Sequence, residues 1–220
     1  MKRAIIASML GAAAFAVGTE ARAQAGAGWG LHTGDSLRSG DNMVYGEFGW
    51  PDVSLGFQHG MSDKIDLGFR LSLDYGYDFS TGTGLGMGMR VPIRIGVIKG
   101  PKVSALIHFD PGIKFDLFSP VFFGMQIPVG FELGIHFIPE ATLQFGFDMP
   151  LYINFTHFVY ANIPVLFGFG FEYHVDDHIA IGINTRFGPT IVAGGGGGLG
   201  GGFTGTAFGF ITQAGFAYRL

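Results

Sequence analysis

Apolar and polar residues alternate one for one over long stretches of this chain, a period of two that only β-strands satisfy. Ile65, Leu67, Phe69, Leu71, Leu73 and Tyr75 fall on one face, with Asp66, Gly68, Arg70, Ser72, Asp74 and Gly76 on the other. Leu143, Phe145, Phe147, Met149, Leu151, Ile153 and Phe155 repeat the pattern against Gln144, Gly146, Asp148, Pro150, Tyr152 and Asn154. Ile163, Val165, Phe167, Phe169, Phe171 and Tyr173 repeat it again. Two-faced strands can also pack as a sandwich, with the apolar faces inside. Here the apolar faces are long and continuous, and Phe supplies 24 of 220 residues, more than a soluble core of this size uses. The other face carries charges and Gly. This pattern predicts an all-β, closed, antiparallel transmembrane barrel with lipid outside and a polar lumen inside.

The alternation marks ten strands, at about 42–50, 53–60, 65–77, 84–98, 103–117, 122–137, 141–155, 160–175, 179–193 and 203–220. The first two are short, so eight strands is the alternative. Met61–Lys64, Lys99–Lys102, Pro139–Glu140 and Asp176–His178 read as short turns. Connections near Ser80–Gly82, Phe118–Val121, Thr156–Val159 and Gly194–Gly202 read as longer or more irregular. Barrels of this kind have short periplasmic turns and longer external loops, and an even strand count places both termini in the periplasm. Aromatic residues near the strand ends suggest two girdles. Trp50, Tyr75, Tyr77, Phe79, Phe118, Phe155, Phe158 and Tyr160 fall near the outer rim, and Phe137, Tyr173, Phe216 and Tyr218 near the inner one.

The N-terminus reads as an export signal. Lys2 and Arg3 precede an apolar stretch from Ala4 to about Gly18, then the small-x-small sites Ala21-Arg22-Ala23 and Ala23-Gln24-Ala25. The expected layout is a signal peptide over 1–23 (or cleavage at 25), an irregular periplasmic lead-in over 26–41, and the barrel over 42–220. The chain has no Cys, which excludes disulfides, thiolate metal sites and an N-terminal lipidated Cys. A net charge of −4 with sparse, mixed charges argues against a nucleic-acid partner.

Phe208, Phe210, Phe216, Tyr218 and Leu220 alternate on one face up to the last residue. This resembles the C-terminal signal strand of bacterial outer-membrane β-barrel proteins. Members of that family usually end in Phe, where this chain has Leu220 with an aromatic two residues earlier. The resemblance implies a Gram-negative outer membrane as the location, membrane lipid as a partner, and the barrel-assembly machinery as the reader of the last strand. It implies an architecture and not an activity.

A repeat runs through the strands. Arg90-Val91-Pro92-Ile93, Gln126-Ile127-Pro128-Val129 and Asn162-Ile163-Pro164-Val165 share one form, and Pro111, Pro150 and Pro189 form a second series. Each step is one hairpin, the signature of hairpins stacked around a ring. Pro cannot donate to a ladder. The six prolines Pro92, Pro111, Pro128, Pro150, Pro164 and Pro189 therefore mark either bulges in the wall or a lateral opening.

Charges of both signs fall on the lumen face. Arg70, Arg90, Arg94, Asp110, Glu132, Asp148 and Arg186 are the candidate lumen network. Unpaired charges in a confined space are costly, so these should interleave, with Arg70, Arg90 or Arg94 meeting Asp110, Glu132 or Asp148. Inward glycines such as Gly86, Gly130, Gly134 and Gly168 leave space for water or long side chains. Leu106, Leu166 and Ile211 are apolar residues expected to face inward. Thr156-His157 beside Asn154 is a hydroxyl–His pair without an acid in sequence, and Asp176-Asp177-His178 fits a tight turn better than a metal site. No nucleophile elbow, zinc-helix motif or phosphate loop occurs. No catalytic residue, metal or cofactor is assigned, and an enzymatic role ranks last. The favoured expectation is a narrow, porin-like channel or transporter-like pore for small or partly hydrophobic molecules. The alternative is a closed-lumen structural or surface-interaction barrel.

Overall fold

The computed structural model describes residues 28–77, 80–117, 121–156, 159–195 and 202–220. The stretch expected to be an export signal, His157 and most of the glycine-rich run lie outside them, as do Phe79, Phe118 and Phe158. Thirteen strand segments form one antiparallel sheet: β1 (Asn42–Trp50), β2 (Asp52–Ser62), β3 (Ile65–Tyr77), β4 (Ser80–Arg90), β5 (Ile93–Lys99), β6 (Val103–Phe109), β7 (Gly112–Asp116), β8 (Phe122–Ile138), β9 (Ala141–Asn154), β10 (Tyr160–Pro164), β11 (Leu166–His174), β12 (Ile179–Gly195) and β13 (Gly202–Arg219). The pairs β4/β5, β6/β7 and β10/β11 each continue as one stave, so among the described residues the wall has ten staves and not eight. β13 pairs with β1 from Met43↔Arg219 to Trp50↔Thr212, which closes the barrel.

Both faces follow the pleat. Leu55, Phe69, Phe145, Phe167 and Phe169 point out and stay exposed, Phe167 by 57%. Glu47, Asp66, Arg70, Arg94, Glu132, Glu172 and Arg186 point in and are buried. An isolated barrel that buries charge and exposes Phe inverts the usual preference of soluble proteins. Asn42, Leu220 and the short turns share one end, here the base; the opposite end is the rim. Leu220 N donates to Asn42 O at 2.9 Å.

Among the described outer-rim aromatics, Tyr77 departs from the expected alternation. The β3–β4 register shifts between Asp74 and Gly76 and again at Tyr77. A bulge adds a residue and re-aims the side chains beyond it. Tyr77 thereby joins the lumen wall, where Lys114 Nζ lies 5.7 Å from its ring centre.

The inward glycines serve as recesses for long side chains. Tyr45 stands opposite Gly56 and lies over it, and a Cβ there would strike the ring. Tyr77 covers Gly84, Tyr152 covers Gly124, and the Arg186 guanidinium rests on Gly146. Ten staves would otherwise leave a wider lumen.

Three of the prolines coincide with the stave interruptions. Val91 and Pro92 separate β4 from β5, Asp110 and Pro111 separate β6 from β7, and Val165 after Pro164 separates β10 from β11. The wall nevertheless stays joined through proline carbonyls. Gly68 N donates to Pro92 O, Val91 N to Pro111 O, Asp110 N to Pro128 O and Val165 N to Pro189 O, all at 2.8–2.9 Å.

Residues 28–41 are irregular, as their lack of periodicity implies. They do not trail from the barrel. They enter at the base, rise to His32 and return to Asn42. Trp29, Leu31 and Leu37 are buried with Met43, Tyr45, Ala180 and Ala217 in an apolar cluster where this segment meets the wall. Gly34, at φ +78°, passes so close that a Cβ would stand 2.9 Å from Ser104 O. A side chain on Gly134 would collide with the Thr33 carbonyl.

Candidate functional site

The site is the lumen together with this N-terminal plug. Wall carboxylates hold the plug through its backbone and one imidazole. Leu31 N and His32 N reach Glu172 Oε2 at 3.0 and 3.1 Å. Leu37 N donates to Asp66 Oδ1 at 3.0 Å. His32 stands at the tip with Nε2 2.6 Å from Glu47 and Nδ1 3.0 Å from Glu132. A neutral imidazole has one N–H, so a ring with a carboxylate on each nitrogen is satisfied only as imidazolium. Burial opposes the charge, but Glu47 and Glu132 outweigh it and raise the His32 pKa from 6.5 to about 9.

Basic wall residues complete the grip. Arg94 donates to Gly30 O at 3.0 Å, Asp35 O at 2.7 Å and the Gln58 side chain at 2.8 Å. Lys99 Nζ reaches Ser36 O at 3.1 Å, and Ser104 Oγ donates to Thr33 O at 2.7 Å. His136 Nε2 lies 3.3 Å from Asp35 Oδ2. At the base, the Arg219 guanidinium lies 5.4 Å from the Trp29 ring centre.

Above the plug the charges interleave by nearest neighbour. Arg70 meets Glu47 at 2.6 Å and Asp52 at 3.4 Å, and Arg90 lies 3.9 Å from Asp52. Arg70 and Arg90 are directly opposite each other across β3–β4. Like charges so placed repel, and Asp52 and Glu47 offset that repulsion. Arg94 lies 4.0 Å from Asp66. Among the described residues these three arginines therefore pair with Glu47, Asp52 and Asp66, rather than with Asp110, Glu132 or Asp148. Those acids belong to a second group. Arg186 bridges Glu132, at 3.1 Å, and Asp148. His108 lies 2.7 Å from Asp148 and 3.5 Å from Asp110. Toward the rim, Lys114 meets Asp74 at 2.9 Å and Asp116 at 3.9 Å.

A cavity of about 150 Å³ runs from Leu31 and His32 to the level of Tyr77, Lys114 and Tyr152. Carboxylates outnumber Arg and Lys along it by seven to five, and His32 and His108 make up the difference when charged. Ile211 lines this cavity, while Leu106 and Leu166 are fully buried. Pro92, Pro128 and Pro150 also face it.

Sequence reasoning missed His32, because nothing in 28–41 signals a fold of its own. It also missed His108, although the alternation places that residue between the outward Ile107 and Phe109. Asp52 reads as a turn residue but begins β2 and anchors two arginines. Thr156 is used in a turn: Phe123 N donates to its Oγ1 at 2.7 Å, and Asn154 Nδ2 donates to its carbonyl at 2.7 Å. Asp176 Oδ1 accepts from His178 N and Ile179 N, both at 2.7 Å, closing the turn expected there.

No protein-family model matches the chain, and no curated protein is similar to it.

Proposed function

We propose that this chain is a small outer-membrane barrel of the Gram-negative type that works as a narrow pore stoppered by its own N-terminal segment. The exposed apolar band, the charged lumen and the terminal strand ending Phe216, Tyr218, Leu220 support the membrane reading. On this reading the base, with the short turns, Asn42 and Leu220, faces the periplasm. Lipid surrounds the wall, and the assembly machinery reads the last strand. The plug is the observation that carries the pore. It fills the base of the lumen, yet it contributes no strand to the sheet, and polar contacts that can be remade in water hold its tip. Withdrawal of the tip would extend the cavity through the base for small polar solutes.

A crosslink tests this. A Cβ on Gly96 would stand 3.5 Å from Ser36 Cβ, within the range a disulfide needs. The chain has no other Cys, so Ser36→Cys with Gly96→Cys forms one defined bond. In planar bilayers the reduced protein should show brief openings that vanish on oxidation and return on reduction. Equal conductance in both redox states would remove the plug as the gate.

A second reading, a barrel that stays shut, has its own support. Trp29 and Leu37 are each 1% exposed, and burying such side chains contributes about 1.5–3 kcal/mol apiece. That reading requires silence from the reduced protein and also from a chain lacking residues 28–41.

A further inference from the structure

Four of the six prolines in the wall offer their carbonyls to a neighbouring stave. Pro150 and Pro164 are different, because they face each other. Tyr152 stands opposite Asn162, and Asp148 opposite Leu166. The register is the same on both sides, so Pro150 stands opposite Pro164. Antiparallel ladders alternate hydrogen-bonded and non-bonded pairs. Pro128 pairs with Pro150 across β8–β9 but directs its carbonyl the other way, to Asp110 N. The Pro150 carbonyl therefore turns toward β10/β11. Val165 N is taken by Pro189 O on β12, so the Pro164 carbonyl turns toward β9. This is a bonding position at which neither residue has an N–H. Both ladder bonds are missing and two carbonyls confront each other. The flanking bonded positions are four residues apart on each strand, a seam of about 13 Å.

Unsatisfied side chains collect at the same place. Asn162 is 1% exposed, and neither its amide nitrogen nor its amide oxygen has a partner. Thr190 is fully buried with its hydroxyl unpartnered, and it stands opposite Pro164. Buried polar groups of this kind usually have partners. The lumen cavity reaches the inner side of the seam at Pro128, Pro150 and Tyr152. On the outer side lie the half-buried Leu151, Ile163 and Val165.

We propose that this seam is a side portal that takes the hydrogen-bond-donating head of a membrane amphiphile. The two carbonyls accept and cannot donate. They select a head with at least two N–H or O–H hydrogens, such as a primary amide or amine, and reject one that only accepts, such as a carboxylate. Asn162 and Thr190 complete the head's hydrogen bonds from the lumen side, and the apolar chain stays in the bilayer. The portal needs a surrounding membrane but does not need the plug to move.

The test uses two probes of one chain length, dodecanamide and dodecanoate. The full-length barrel is held in phosphatidylcholine nanodiscs, whose headgroup has no N–H or O–H. Bound probe is counted by native mass spectrometry. One dodecanamide per barrel is expected, with dodecanoate retained at least tenfold less. Pro150→Ala with Pro164→Ala restores both donors and should lower dodecanamide retention at least tenfold. Pro111→Ala, at a proline whose carbonyl already accepts from Val91 N, should not lower it. If the double variant fails to fold, Asn162→Leu serves in its place with the same expected loss. Equal retention of the two probes, or undiminished retention by a folded double variant, overturns the portal. The oxidised Ser36→Cys/Gly96→Cys barrel should bind dodecanamide as the parent does, so a failed pore and a failed portal give different results.

Discussion

His32 should make plug retention fall with rising pH, and its two carboxylate contacts set the size of the effect. In the seated plug its pKa is about 9 against 6.5 when free. A raised pKa means the seated state binds the proton more tightly. Its contribution is therefore complete below pH 6.5 and is lost as pH rises through 9. At about 1.4 kcal/mol per unit, the full contribution is about 3 kcal/mol, shrinking to about 2 near pH 7.5 and a few tenths by pH 9. Thr33→Cys reports on seating, because Thr33 is fully buried beside His32 and the chain has no competing thiol. Its reaction with a water-soluble maleimide is measured from pH 6 to 9.5 and divided by that of Cys at the exposed Ser39, which removes the intrinsic pH dependence of the thiol. Protection should fall roughly sixfold per pH unit between about 7 and 9. With His32→Gln it should be lower and flat across the range. Flat protection in the parent, or protection that improves with rising pH, would refute the latch.

Further expectations come from the wall. Arg186→Met leaves Glu132 and Asp148 without their shared cation, so urea unfolding in micelles should show a loss of about 3–5 kcal/mol. Glu172→Gln keeps the shape but removes the charge that accepts from Leu31 N and His32 N. It should cost about 1.5–3 kcal/mol, read as faster maleimide labelling with little change in barrel unfolding. Gly134→Ala drives a Cβ into the Thr33 carbonyl, so it should raise open probability in bilayers while gel mobility still reports a folded barrel. Arg94→Ala removes the donor shared by Gly30 O and Asp35 O and should loosen the plug in the same labelling assay.

Most of the wall was legible from the alternation, Tyr77 and the stave interruptions excepted. Strands expected at 65–77, 122–137 and 141–155 occur as Ile65–Tyr77, Phe122–Ile138 and Ala141–Asn154. The reason is local. Successive side chains leave a strand on opposite faces, so when each face meets a different environment the alternation is written into consecutive residues. Inward and outward faces derive from it, while the choice of ten staves over eight rests on the pairing of the closed sheet.

Whatever depended on stagger between staves or on filling the lumen was not legible. Alternation placed Arg70 and Arg90 inside, but the barrel's register set them opposite each other and brought Asp52 and Glu47 to them. The bulge that turns Tyr77 inward, and the tyrosines that lie over Gly56, Gly84 and Gly124, depend on which residues of adjacent staves meet. Residues 28–41 have no period at all, because the cavity they occupy decides their conformation. His32 becomes a latch only where β1 and β8 bring Glu47 and Glu132 to its two nitrogens. The pleat repeats every two residues and can be read from neighbours in the chain. The latch joins groups as far as 100 residues apart, and only the closed barrel brings them together.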